Sequence, residues 1–218
     1  MLEKDALENI YKFIVDNKNA EIIFSRVQRF IEENNKVKLL DIIPENIEIY
    51  GKETREQLEI ILEDNFIVAP SAIIKNELLK RVNYYDERFK MVEDYPFWIK
   101  LLKNNIKFYF LDKVTVLYRQ SPNSVSGLKK GAKVNPIILD FKKKFYKEIY
   151  SKEVTSPLKK WDRYIGIKQE ELILRNGNRS SIFSQLLRYI QIKTLKKYKI
   201  RLLFLVIIFI LAIIGERL

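Results

Sequence analysis

At 218 residues, 47% hydrophobic and 12% aromatic, the chain is long enough to bury a core and too apolar to be disordered. It has no cysteine and no histidine. That excludes disulfides, thiolate or imidazole metal sites and serine–histidine catalysis, and it leaves acid–base chemistry to carboxylates, Lys, Tyr or groups of the substrate. The net charge of +12 is unevenly spread: residues 1–128 carry 19 Lys/Arg against 21 Asp/Glu, whereas residues 129–218 carry 21 against 7. Such asymmetry directs the C-terminal part toward an anionic surface, membrane or nucleic acid.

In chain order, Asp5 is placed to cap a helix whose Leu7, Ile10, Tyr11, Phe13 and Ile14 form one apolar stripe ending at Asn17-Lys18-Asn19. Ala20 to Ile31 reads as a strand, with another at 36–43. Thr54-Arg55-Glu56-Gln57 reads as a capping box opening a short helix that buries Leu58, Ile61 and Leu62. Phe66-Ile67-Val68 reads as a buried strand before Pro70, and 74–82 as a short helix. A helix over 94–103 turns Phe97, Trp98, Leu101 and Leu102 inward. Two strands, 106–111 and 113–119, are predicted around a tight Leu111-Asp112 turn. The alternation of short strands and helices predicts an α/β layer fold. Gly127 to Gly131 reads as a linker, followed by helices over 137–150, 158–174 and 182–198.

Helix 182–198 sets Ile182, Phe183, Leu186, Leu187, Ile190 and Leu195 opposite Arg188, Lys193, Lys196 and Lys197, the pattern of an interfacial helix. It leads into Leu202–Ile214, an unbroken apolar run of roughly 20 Å as a helix, which reads as a membrane segment over 201–215 with the basic cluster holding the main body on the cytoplasmic face. A nucleic-acid partner is not expected. The globular part is slightly acidic and the basic part abuts an apolar run.

The chemistry-bearing stretch is Asn83 to Ser126. It holds the acidic pair Glu93-Asp94 where a loop meets an amphipathic helix. A carboxylate on the first turn of a helix is rigid, and the positive end of the helix dipole favours its anion; an Asp there also serves as a plain cap. Before the pair come Ala69-Pro70-Ser71, Ile74 and Asp86-Glu87-Arg88-Phe89; after it come Trp98, Tyr118-Arg119, Ser124 and Ser126. In this order and spacing the chain resembles the acceptor half of family 2 glycosyltransferases of the GT-A fold.

The resemblance implies that Asp94 is the general base taking the proton of an acceptor hydroxyl, with Glu93 beside it shaping the site. It implies substrate contacts for Asp86, Glu87, Trp98, Arg119 and Ser124. Asp86 and Glu87 could instead brace the loop, Arg119 could instead pair with Asp86 or Glu87, and Trp98 could instead belong to the core. The fold class expected is α/β: an incomplete GT-A-like (Rossmann-like) domain over 1–128, a basic helical interfacial region over 129–200, and a hydrophobic membrane-associated helix over 201–215. The chain has no Asp-X-Asp motif. The first helix resembles the one following that motif in the family, so the nucleotide-binding half is expected to lie upstream. By the same reading the chain alone binds no cofactor and no nucleotide-sugar, and Mg or Mn is expected only with the donor half present. The implied partners are a nucleotide-sugar donor, a lipid-linked or surface-polysaccharide acceptor and the membrane. The alternative reading is a non-catalytic membrane-tethered binding or scaffold module, or an inactive remnant.

Overall fold

The computed structural model describes residues 1–33, 36–45, 47, 49–121, 124 and 132–175. The chain divides into two compact units, Met1–Thr155 and Ser156–Leu218. In the first unit the elements run α1 (Ala6–Asp16), β1 (Ile22–Glu33), β2 (Lys36–Ile43), α2 (Thr54–Glu63), a 3-10 turn (Ala69–Ser71), β3 (Ile73–Ile74), α3 (Asn76–Arg81), α4 (Asp94–Lys103), β4 (Phe108–Arg119), α5 (Pro136–Phe145), a π-helical turn (Tyr146–Tyr150) and α6 (Ser151–Glu153). In the second unit the described residues form α7 (Pro157–Arg175), where Trp161 and Tyr164 lie 6.3 Å apart and Lys168 pairs with Glu171 at 3.1 Å.

β1 organises a mixed sheet of four strands. Along one edge it runs parallel to β4, from Ile22 opposite Phe108 to Phe30 opposite Arg119. Along the other it meets β3 antiparallel at Ile22–Ile23 and, further on, β2 antiparallel from Val27 to Glu33. The outer edge of β4 is lined by Met1–Glu3, whose backbone bonds reach Thr115 and Leu117 at 2.8–2.9 Å.

Successive strand residues face opposite sides, and both sides are covered. Ile22, Phe24, Phe108 and Phe110 face the larger core, where they meet Ile61 and Leu62 of α2 and Phe97, Trp98, Leu101 and Leu102 of α4. Ile23 and Leu111 face α1 through Ile10 and Phe13. Gln57 ties helix to sheet: fully buried, it donates to the Ile49 and Phe108 carbonyls at 3.2 and 3.0 Å and accepts the Phe108 N–H at 2.9 Å. The sheet's own buried polar pair, Ser25 and Thr115, satisfies itself at 2.5 Å.

Several expectations are corrected. The two strands expected around Leu111-Asp112 are one strand. Its parallel pairing with β1 shifts register between Ser25 and Val27, and Asp112 points out to Arg26 at 2.5 Å. A polar residue that breaks alternation reads locally as a turn; here the irregularity absorbs it and an arginine holds it. Phe66–Val68 forms no strand, though Ile67 is buried. The capping box sits one residue earlier than read, on Glu53, whose N–H is accepted by Glu56 at 3.2 Å. Asp5 is the N-cap of α1 but makes no side-chain capping bond.

The first compact unit runs from Met1 to Thr155. It takes in α5, whose Phe145 stacks on Tyr95 at 4.5 Å. The expected fold class, an incomplete GT-A-like domain followed by a hydrophobic membrane-associated helix, is corrected as well. The structure is a mixed α/β unit compatible with a Rossmann-like fold, and no helix among the described residues is long and apolar enough to cross a membrane. Segments 182–198 and 201–215 and the linker 127–131 lie outside the described residues.

Candidate functional site

The site is assembled where the end of α2 faces the start of α4. Tyr95 makes this juxtaposition. Its buried hydroxyl lies 2.8 Å from the Ile61 carbonyl and 3.0 Å from that of Leu62, two of the carbonyls a helix leaves unpaired at its C-terminal end. With α4 anchored so, Asp94 one residue earlier comes opposite Asn65, just past the end of α2, and Asn65 Nδ2 donates a long 3.5 Å hydrogen bond to Asp94 Oδ2. Asn65 Oδ1 is buried, with no partner among the described residues.

Asp94 is half-buried and Glu93 is exposed. Glu93, at the N-cap of α4, makes no side-chain capping bond. Burial pushes the Asp94 carboxyl above its ordinary range; hydrogen bonds from the backbone of Tyr95 and the Asn65 amide partly offset this, and the Glu93 charge adds to it. A carboxylate raised in this way accepts a proton more readily than an ordinary aspartate.

Residues 83–92 bring a third group. Asn83, Tyr84 and Met91 hold positive φ angles of 55°, 50° and 73°, a region non-glycine residues seldom adopt. Lys100 of α4 pins the first two by donating to the Asn83 and Tyr84 carbonyls at 3.3 and 2.9 Å. Tyr85 therefore lies over α4, its ring centroid 4.2 Å from that of Phe97. Its hydroxyl is held above the usual phenol range by burial and by the charges of Glu93 and Asp94. Neither Asn65 nor Tyr85 was singled out from the sequence. An Asn after a helix end and a Tyr before an Asp are common, and only the tertiary pairing of α2 with α4 gives them meaning.

The residues implied by the resemblance fall into two groups. Asp94 and Glu93 stand together with Asn65 and Tyr85. Asp86 belongs to a clasp: it receives Arg88 at 2.6–3.1 Å, burial opposes that pairing only in part, and its carboxyl is held below the ordinary range. Arg88 also reaches Glu148 at 2.9 Å, and its carbonyl accepts Lys144 of α5 at 2.5 Å. Glu87 is exposed. Trp98 is 1% exposed and packs edge-on to Phe108 at 6.0 Å, so its ring has no free face for a sugar. Arg119 pairs with neither Asp86 nor Glu87; it sits at the end of β4, 3.5 Å from Glu32. Ser124 Oγ donates to the Ser121 carbonyl at 2.8 Å. Among the described residues no three acidic side chains converge in a way that would hold the divalent cation implied for the donor half.

With this geometry established, a comparison with curated proteins becomes informative. Over 126 residues, 57% of this chain, the sequence is 30% identical to an uncharacterised glycosyltransferase of Methanocaldococcus jannaschii. Those residues are 41% of that protein, so the chain matches about two fifths of the length of its curated relative. No family model matches the chain, and no solved structure matches it.

Proposed function

We propose that this chain carries the acceptor side of an inverting, family 2-type glycosyltransferase, with Asp94 as its general base. One observation carries the reading: in a chain without histidine, the carboxylate at the first turn of α4 is half-buried, raised toward a useful basicity, and oriented by Asn65. In the reaction an acceptor hydroxyl attacks the anomeric carbon of a nucleotide-sugar, forming the new glycosidic bond as the bond to the nucleotide breaks. The hydroxyl proton passes to Asp94 and the nucleotide leaves with the electron pair. Helix α4 supplies what this step needs, a carboxylate with a fixed direction and a positive dipole end behind it. The donor site and the sugar transferred belong to the proposal only as chemistry that the rest of such an enzyme supplies.

The test is turnover. In a protein containing this chain, assayed across a panel of nucleotide-sugars with simple glycosides as acceptors, Asp94→Asn is expected to lower transfer by ~10²–10⁴-fold with unchanged circular dichroism. The parent's rate is expected to fall as pH drops through the raised Asp94 pKa, where the carboxylate becomes protonated. Transfer by the asparagine variant at the parental rate would make Asp94 a helix cap and favour a non-catalytic binding module.

A further inference from the structure

We infer that Asn65 is a positioning residue for the proposed base: its amide holds Asp94 Oδ2 and leaves Asp94 Oδ1 to take the proton of the acceptor hydroxyl. The inference rests on the glycosyltransferase reading and deepens it by dividing the carboxylate into a held oxygen and a working one.

The first observation is that this contact is not what brings its two helices together. The end of α2 is already joined to the start of α4 by the Tyr95 hydroxyl, 2.8 and 3.0 Å from the Ile61 and Leu62 carbonyls, and Ile61 and Leu62 share one core with Phe97 and Trp98. To that frame Asn65 adds a single bond, from Nδ2 to Asp94 Oδ2 at 3.5 Å. Hydrogen bonds of catalytic groups run long in a site without substrate and tighten when it arrives. Among the described residues no other side chain is hydrogen-bonded to Asp94. The bond therefore acts on the direction of one carboxylate rather than on the packing around it.

The second observation is what the amide leaves unsatisfied. Asn65 Oδ1 is buried with no partner among the described residues. A buried carbonyl left unpaired works against folding, and an apolar side chain in its place would avoid the penalty. Stability thus gives no reason for an amide here, whereas the carboxylate opposite does. A lysine would hold Asp94 but lower its basicity, and an aspartate would set a second anion against it; an amide donates without adding charge. The hold also outlasts the chemistry. Once the acceptor's proton settles on Asp94 Oδ1, Oδ2 becomes the carbonyl oxygen of a carboxylic acid and still accepts from Asn65 Nδ2. The carboxyl keeps its direction while the glycosidic bond forms and the nucleotide departs.

The test is a double-mutant cycle on turnover, in a protein containing this chain, joined to a titration. Asn65→Ala is expected to lower kcat by about 10–100-fold and to leave KM within about twofold, because direction is lost and binding is not. Made in the Asp94→Asn background, the same change is expected to lower the residual kcat by no more than about twofold, since the group it acts through is gone. The amide favours the ionised carboxylate, so its removal raises the Asp94 pKa and moves the acid limb of the kcat/KM profile to higher pH. Carboxyl-carbon NMR of this chain reads the same upward shift without any donor, and a dispersed amide spectrum guards against a folding defect. Parental kcat in Asn65→Ala, an equal loss in both backgrounds, or an Asp94 titration that stays where it was would each overturn the inference. The Asp94→Asn variant separates the two ideas. Lost turnover in Asp94→Asn beside parental turnover in Asn65→Ala sinks this inference alone. Parental turnover in Asp94→Asn sinks the general-base reading, and a shifted titration in Asn65→Ala would then mark a structural pair with no working oxygen.

Discussion

Helices α1 and α4 are nearly equal in length, 11 and 10 residues, and both carry an apolar period in the sequence. Their surroundings differ sharply. α4 buries Tyr95 through Ile99, Leu101 and Leu102, wedged between α2 and the aromatic residues of α5. α1 buries Ala6 and Ile10, while Leu7, Tyr11 and Val15 are 69%, 68% and 47% exposed. Periodicity thus reports that a helix has an apolar face, but what covers that face is settled by elements distant in sequence. The candidate base sits on the covered helix, whose packing holds its direction.

The largest expected effect tests that contrast. Phe97→Ala removes a ring that touches Tyr85 and Trp98 and is expected to cost ~3–5 kcal/mol in chemical denaturation. Leu7→Ala and Tyr11→Ala are expected to stay within about 0.5 kcal/mol, as exposed positions do. Equal costs at the two helices would mean that the α1 face is covered in solution, and the contrast would fall.

A smaller effect comes from the polar stitch beneath α4. Gln57→Leu keeps the volume but strands the Phe108 N–H and two carbonyls in the interior. Each buried group left unpaired costs ~1–3 kcal/mol, and partial relaxation should leave a total on the order of 2–3 kcal/mol. A variant as stable as the parent would show that the α2–sheet contact stands on apolar packing alone.

Much of the framework was legible locally. The bounds of α4 follow from Asp94 at its start and Asn104-Asn105 after it, and β1 and β2 follow from their apolar and β-branched runs. What escaped was tertiary in origin. β4 looked like a hairpin because Asp112 interrupts its alternation, and only the partner strand and Arg26 explain why the chain continues. Gln57 was read as part of a cap because its neighbours suit one, yet its amide replaces a strand neighbour for Phe108. At the site, the carboxylates stood out because loop-to-helix acids carry meaning in sequence. Asn65 stands 29 positions before Asp94, and nothing local announces the pairing. Tyr85 was passed over for its neighbours Asp86 and Glu87, although Asp86 is engaged by Arg88.

The smallest expected effect concerns the one place where α4 keeps a charge in a desolvated setting. Folding raises the Asp94 carboxyl above its unfolded value, because burial outweighs the hydrogen bonds that favour the anion. A raised carboxyl favours the native state when protonated and penalises it when ionised. The penalty is therefore complete above the folded pKa, diminishes as pH falls through it, and vanishes below the unfolded value of ~3.9. Asp94→Asn removes the ionisation while keeping the shape, so it is expected to raise the melting temperature at pH 7 and to leave it near the parental value once both carboxyl forms are protonated. In a domain of this size each kcal/mol corresponds to ~2–4 °C, which makes the gain readable by calorimetry. Loss of stability at pH 7 would show that the ionised carboxylate strengthens the fold as a cap. The variant expected to cost most in turnover would then also cost in stability, and the trade of stability for a poised base would be absent from α4.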